Sequence, residues 1–150
     1  MRPDELTIDL LDDPQVLADL AADARADGRA MVGRLLQEWN DGRNRFDRPG
    51  EKAYVARLNG RVCGVCGLNR DPFARAERVG RVRRLYVSVT DRRSGVGSAI
   101  LKRLMADARG VYEWMHLRTH DKEASAFYEA IGFEPVRDDV ECTHRRPVVA

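Results

Sequence analysis

The chain has 150 residues, 26 basic and 24 acidic side chains, and a formal charge of +2. That length suits one domain, and an apolar share of 43% excludes an extended disordered chain. So even a charge balance argues against a nucleic-acid partner, because such domains carry a clear basic excess.

Leu6-Thr7-Ile8-Asp9-Leu10 alternates apolar and polar residues, as a first strand does. Asp12-Asp13-Pro14 reads as a helix start, with acids at the cap and proline at the first position. Leu17, Leu20, Ala21 and Ala24 form its apolar stripe, and Gly28 ends it. A second helix is predicted over about 29–39, with Val32, Leu35, Leu36 and Trp39 on one face. Turn residues fill 40–50. Strands follow at 53–58 and 61–68, joined by the hairpin signal Asn59-Gly60. A strand at 81–89 leads to an amphipathic helix at 95–109, with Ile100, Leu101, Leu104, Met105 and Ala108 inward. A strand at 112–118, a helix at 122–131 closed by Gly132, and strands at 133–136 and 143–148 complete the chain. The order β-α-α-β-β-β-α-β-α-β-β indicates a mixed α/β domain with a partly parallel sheet, and a single domain over 1–150.

Three cysteines, Cys63, Cys66 and Cys142, give no paired framework and suit a reducing compartment. One Cys-x-x-Cys in a strand sends its sulfurs to opposite faces, and no second pair completes a zinc site, so no metal is expected. Acids at the N-terminus and the lack of a run of roughly 20 apolar residues argue against a secretory signal and a membrane span. The expectation is a cytoplasmic protein with no membrane partner.

The segment Arg92-Arg93-Ser94-Gly95-Val96-Gly97-Ser98 joins a strand to a helix. At a helix start the first amides lack intrahelical partners and the dipole favours anions. Glycines let those amides approach a phosphate closely, and arginines add charge. Two glycines alone also make an ordinary tight turn. A dinucleotide fold wants a third glycine where Ile100 stands, and a P-loop wants Gly-Lys-Ser/Thr, which is absent.

A second motif lies downstream, Phe127-Tyr128 followed by Gly132-Phe133 at the end of a helix. With Arg92 to Gly97 and the strand text Arg84-Leu85-Tyr86-Val87, it makes the chain resemble the GCN5-related N-acetyltransferase (GNAT) superfamily. The motifs span roughly 80–136. The resemblance implies the GNAT fold and acetyl-CoA as acyl donor. It implies that backbone groups of Leu85, Tyr86 and Val87 pair with the pantetheine arm, with an amide near Val87 polarising the thioester carbonyl. It implies that amides from Arg93 to Ser98 hold the pyrophosphate, and that Tyr128 sits by the cofactor sulfur as proton donor. Asp121 stands where many members carry asparagine; it either contacts the cofactor or caps its helix.

Transfer to an amine requires a neutral nitrogen, and an alkyl ammonium with pKa about 10.4 is only about 0.1% neutral at pH 7.4. Many relatives place a glutamate on the central strand where this chain has Arg81, which cannot serve as base. His116 falls where others carry one on the next strand, and a histidine is suited to the task. His120, His144 and a water chain are alternatives. Glu38, Trp39, Asn44, Arg45 and Phe46, with Asn69, Arg70, Asp71 and the Thr143-His144 pair, are the expected acceptor wall, with Glu38 holding an ammonium. The resulting expectation is N-acetylation of a small-molecule primary amine by a monomer or homodimer. The alternatives are a protein N-terminal or lysine acetyltransferase and a non-catalytic coenzyme-A-binding module.

Overall fold

The structure, a computed structural model, describes residues 4–149. Strand β1 (Leu6–Leu10) gives way at Asp13, whose carboxylate caps a 3-10 turn at Pro14–Leu17 that continues into α1 (Ala18–Ala26). Helix α2 (Met31–Asn40) follows after a short turn. Strands β2 (Lys52–Leu58) and β3 (Arg61–Arg70) form the expected hairpin. Asn59 and Gly60 both take positive φ, 52° and 82°, as a two-residue turn matched to strand twist requires. Then come β4 (Val79–Val87), α3 (Val96–Ala108), β5 (Trp114–Leu117), α4 (Lys122–Ala130), β6 (Glu134–Pro135) and β7 (His144–Pro147).

The strands make one sheet in the order β1-β2-β3-β4-β5-β7-β6. All pairings are antiparallel except β4 with β5, which are parallel and joined by α3 as crossover. The mixed α/β architecture and element order read from the sequence are those of the structure. Each face carries an apolar layer. Tyr54, Leu68, Ile100, Leu104 and Met115 are buried on the face of α3 and α4. Leu17, Leu20, Val32, Leu35, Val55 and Val65 are buried on the face of α1 and α2. Each such side chain contributes roughly 1.5–3 kcal/mol by leaving water.

Two irregularities shape the site. The β4–β5 ladder has only three pairs, ending at Arg81 with His116, after which the strands diverge. In the β3–β4 ladder Gly67 pairs with Arg83 and Val65 with Tyr86, so Arg84 and Leu85 together face the single residue Cys66. Arg84 takes φ 60° at this bulge, the left-handed region. The expected strand at 81–89 therefore starts earlier and stops at Val87. Its end curls into a 3-10 turn at Val89–Asp91 because the Asp91 carboxylate accepts from the Ser88 hydroxyl and from Arg61.

A second bulge corrects the reading of the cysteines. Ala56 pairs with Gly64 and Arg57 with Val62, leaving Cys63 as the extra residue. The strict alternation is broken, and Cys63 and Cys66 lie in the same apolar cluster rather than on opposite faces. Burial pushes the Cys66 thiol up to about 12. Among the described residues no cluster of metal-binding side chains occurs.

Gly67 is fixed by what sits on it. A Cβ there would come within 2.2 Å of Phe46 Cε1. Gly67→Ala is expected to displace the Phe46 ring and lower stability by about 1–3 kcal/mol, measured by urea unfolding, with retention of wild-type stability contradicting the packing.

Candidate active site

The opening between β4 and β5 becomes a cleft of about 510 Å³. Its wall is made by Leu85, Tyr86 and Val87 of β4, the turn into α3, and Thr119, Asp121, Ala124, Phe127 and Tyr128 beside α4. Of the residues expected to bind a cofactor, Arg92, Arg93, Gly95, Val96, Gly97 and Ser98 line it as well.

The backbone gives the cleft its chemistry. Ser88 N–H donates to the Cys63 carbonyl at 2.9 Å, toward β3. In an antiparallel ladder successive residues alternate in direction, so the Val87 amide turns the other way, to the open side. The Val87 carbonyl does likewise and accepts from Arg92 Nε at 3.1 Å. At the start of α3, Arg93 and Gly95 take φ 64° and 87°, and no side chain caps the helix. The Ala99 amide bonds to the Gly95 carbonyl at 3.0 Å; among the described residues no amide from Arg92 to Ser98 has a carbonyl partner in good geometry. A row of amides thus faces the cleft with the positive end of a helix dipole behind it. Gly97 permits close approach of α3 to α4, since a Cβ there would lie 3.2 Å from Phe127 Cζ.

The side chains of this turn differ in role. Arg92 is held by Asp27 at 2.5 Å and lies over the Tyr86 ring at 5.3 Å, so much of its charge is already matched. The Ser94 hydroxyl turns inward to the Asp91 carbonyl, and its side chain does not line the cleft. Arg93 is exposed. The Tyr86 hydroxyl donates to Asp23 at 2.7 Å, so this residue offers the cleft its backbone.

Asp121 caps α4 by accepting from the Ala124 amide at 3.2 Å, and it pairs with Arg29 at 3.6 Å. Arg29, from the turn between α1 and α2, and Met31, the first residue of α2, close one side of the cleft. Sequence reasoning missed both, because nothing local to Gly28-Arg29 shows that this turn reaches α4. Tyr128 is 7% exposed and packs edge-on against Phe127 and Phe133. Burial raises its phenol, so it is a protonated donor across the neutral range.

His116 does not line the cleft. Its Nδ1 lies 3.2 Å from the buried Asp71 carboxylate, which with the Cys142 sulfur pushes it up to about 9. It is therefore an imidazolium at neutral pH, and the expected free base is absent at this position. Burial works to raise Asp71, but the hydrogen bonds from His116 and the Phe73 amide, with the Arg81 charge, outweigh it and hold the carboxyl low. Glu38 is bonded to Arg84 at 2.6 Å instead of being open to an ammonium.

Most of the expected acceptor wall does gather on the α2 face of the sheet. Asn44 and Asn69 exchange hydrogen bonds at 3.0 and 3.1 Å, and Trp39 lies 6.3 Å from Phe46. His144 does not join them. It is buried on the α4 side, 3.1 Å from Glu129 and 2.9 Å from the Thr143 hydroxyl. The residues that join the group unforeseen are Arg81, Arg83 and Arg84.

The His116–Asp71 pair has a pH signature. The folded-state value of about 9 stands above the ordinary 6.5, so the stabilisation is complete below about pH 6.5 and is lost as pH rises through about 9. The wild-type Tm is expected to fall over that window, while His116→Gln starts lower and shows a flatter profile. Parallel profiles would contradict the pairing.

Comparison with known proteins agrees with this geometry. A profile described as an acetyltransferase (GNAT) domain matches residues 49–135, more than half of the chain. A search of curated proteins finds no match. A solved structure assigned as an acetyltransferase of Exiguobacterium sp. 255-15 superposes with a TM-score of 0.83 at 27% identity, covering 95% of this chain and 93% of that one. A GCN5-related N-acetyltransferase from Kribbella flavida gives 0.72 at 15% identity over 95% and 97% of the two chains. A structure from Klebsiella pneumoniae, assigned as an acyl-CoA N-acyltransferase, gives 0.67 at 20% identity over 96% and 98% of the two chains. The open edge of β4, the glycine turn into α3 and the matched profile lead to one conclusion: the chain belongs to the GNAT acetyltransferase family.

Proposed function

We propose that the chain transfers an acetyl group from acetyl-CoA to the primary amine of a small molecule. One observation carries this reading. The uncapped start of α3, the unpaired edge of β4 and the Tyr128 phenol face the same cleft.

The residues suit coenzyme A. Amides from Arg93 to Ser98 would hold its pyrophosphate, with Arg93 adding charge. The open edge at Leu85 to Val87 would take the amide groups of the pantetheine arm, as a neighbouring strand would. When bound, the thioester supplies an activated acyl group. The Val87 amide would donate to the carbonyl oxygen on which negative charge grows. Tyr128 Oη holds a proton available to the departing sulfur.

The acceptor nitrogen must arrive neutral, and His116 is already protonated. Its proton would pass to bulk through water. The arginines beside the cleft assist, since nearby positive charge disfavours an ammonium and lowers its pKa. Phe46, buried on Gly67 with Trp39 beside it, fills the space along β3, which favours a small acceptor over a peptide. Three free, buried cysteines suit the reducing cytoplasm proposed as its setting.

Tyr128→Phe is expected to lower kcat by about 100-fold while leaving the Kd for acetyl-CoA within about twofold, measured by thiol release and calorimetry. Equal turnover would remove Tyr128 from the chemistry, and absence of wild-type turnover on amines and peptides would favour a coenzyme-A-binding module. Arg93→Glu, a change at an exposed position, is expected to weaken coenzyme A binding about tenfold at unchanged Tm. Unaltered affinity would place the phosphates elsewhere.

A further inference from the structure

Just upstream of the cleft, β4 places an excess of positive charge on the α2 face. Arg81 pairs across the sheet with Asn69 and His116, whose side chains belong to that face. Arg83 lies opposite Gly67, over which Phe46 is packed from the same side. Arg84, turned by the bulge, reaches Glu38 of α2. Three guanidinium groups and the His116 imidazolium therefore meet two carboxylates, Asp71 and Glu38. Glu51, the next acid along, already accepts from Asn69 and the Arg70 amide.

The cluster is not satisfied internally. Arg81, with a side chain 6% exposed, stands 3.5 Å from Asp71, yet its buried Nη1 has no hydrogen-bond partner. Arg84 Nε is likewise buried without one. The Arg83 guanidinium makes no hydrogen bond among the described residues; burial, and then the charge of Arg84, pull it below the ordinary value. Buried donors without partners are unfavourable, and a fold retains them where a ligand completes them. Arg83 is partly exposed and hence reachable. It stands two residues before Leu85, roughly 7 Å along the strand from the cleft wall.

Resting on the acetyltransferase reading above, we propose that the acceptor is an amine that also carries a carboxylate, which this cluster binds. A planar carboxylate accepts two parallel N–H bonds from one guanidinium, and Arg83 has its donors uncommitted. The anion offsets the excess positive charge. With the carboxylate on Arg83, the amine of the acceptor would extend along β4 toward the cleft. The same arginines disfavour an ammonium, so one cluster selects the acid group and eases loss of the amine proton.

The test compares common α-amino acids with their own carboxamides, and with aminoalkyl phosphates, as acceptors in thiol release from acetyl-CoA. The acid is expected to exceed its amide by about 10- to 100-fold in kcat/KM, the range of a charge-assisted bond. In Arg83→Gln that ratio falls toward one, and Arg83→Lys restores part of it. Because Arg83 has no partner to orphan, Arg83→Gln keeps or raises Tm, which separates loss of binding from loss of fold. Calorimetry with N-acetylated amino acids in the presence of coenzyme A reads the same site without turnover. Saturable, Arg83-dependent binding there with no transfer to any amine would uphold the carboxylate site while overturning the acetyltransferase reading. Acids and amides used equally, or aminoalkyl phosphates preferred, would overturn the proposal.

Discussion

The parting of β4 from β5 is the constraint on which the rest of the molecule depends. Up to Arg81 and His116 the two strands share a ladder; beyond them the backbone of β4 has no neighbour on that side. Unpaired amides and carbonyls in a sheet are unfavourable unless something meets them. Here Arg92 meets the Val87 carbonyl, and water or a ligand with amide groups must meet the rest. The bulge at Arg84 produces the divergence locally, and the Arg84–Glu38 bond ties that bend to α2. A left-handed arginine costs about 1 kcal/mol or more, which the surrounding packing must hold in place.

From that opening the functional geometry follows in sequence. The strand that loses its partner runs directly into Ser88–Asp91, where Asp91 is held near 2 by Arg61 and the Ser88 hydroxyl and anchors the turn. The turn delivers the chain into α3 with Arg93 and Gly95 in left-handed conformations. Helix α3 then crosses to β5 and leaves its own first amides pointing into the gap. Helix α4 returns beside it and brings Tyr128. A single crossover thus assembles the open backbone edge, the anion-binding helix start and the proton donor, all from residues within 79–130.

Much of this was legible in the sequence. The hydrophobic periods fixed the elements, Asn59-Gly60 fixed the hairpin, and the glycine turn with Phe127-Tyr128 located the cleft. What escaped was of two physical kinds. Bulges leave no periodic trace, so the alternation that sends Cys63 and Cys66 to opposite faces is one the ladder does not keep, and nothing marks the bulge at Arg84. Side-chain partners from distant segments were equally invisible. His116 reads as a free imidazole until Asp71 is seen beside it, Glu38 as an open carboxylate until Arg84 meets it, and His144 as an acceptor contact until Glu129 covers it. Arg81 was read only as the loss of a base, although three arginines in the stretch from 81 to 84 were plain to see.

Backbone amide shifts of the labelled protein during titration with coenzyme A test the central claim most directly. The account predicts saturable shifts concentrated at Arg93 to Ser98 and at Leu85 and Val87, with little change on β1, β2 or the outer strands. Saturation without movement of those amides, or no response at all, would contradict it.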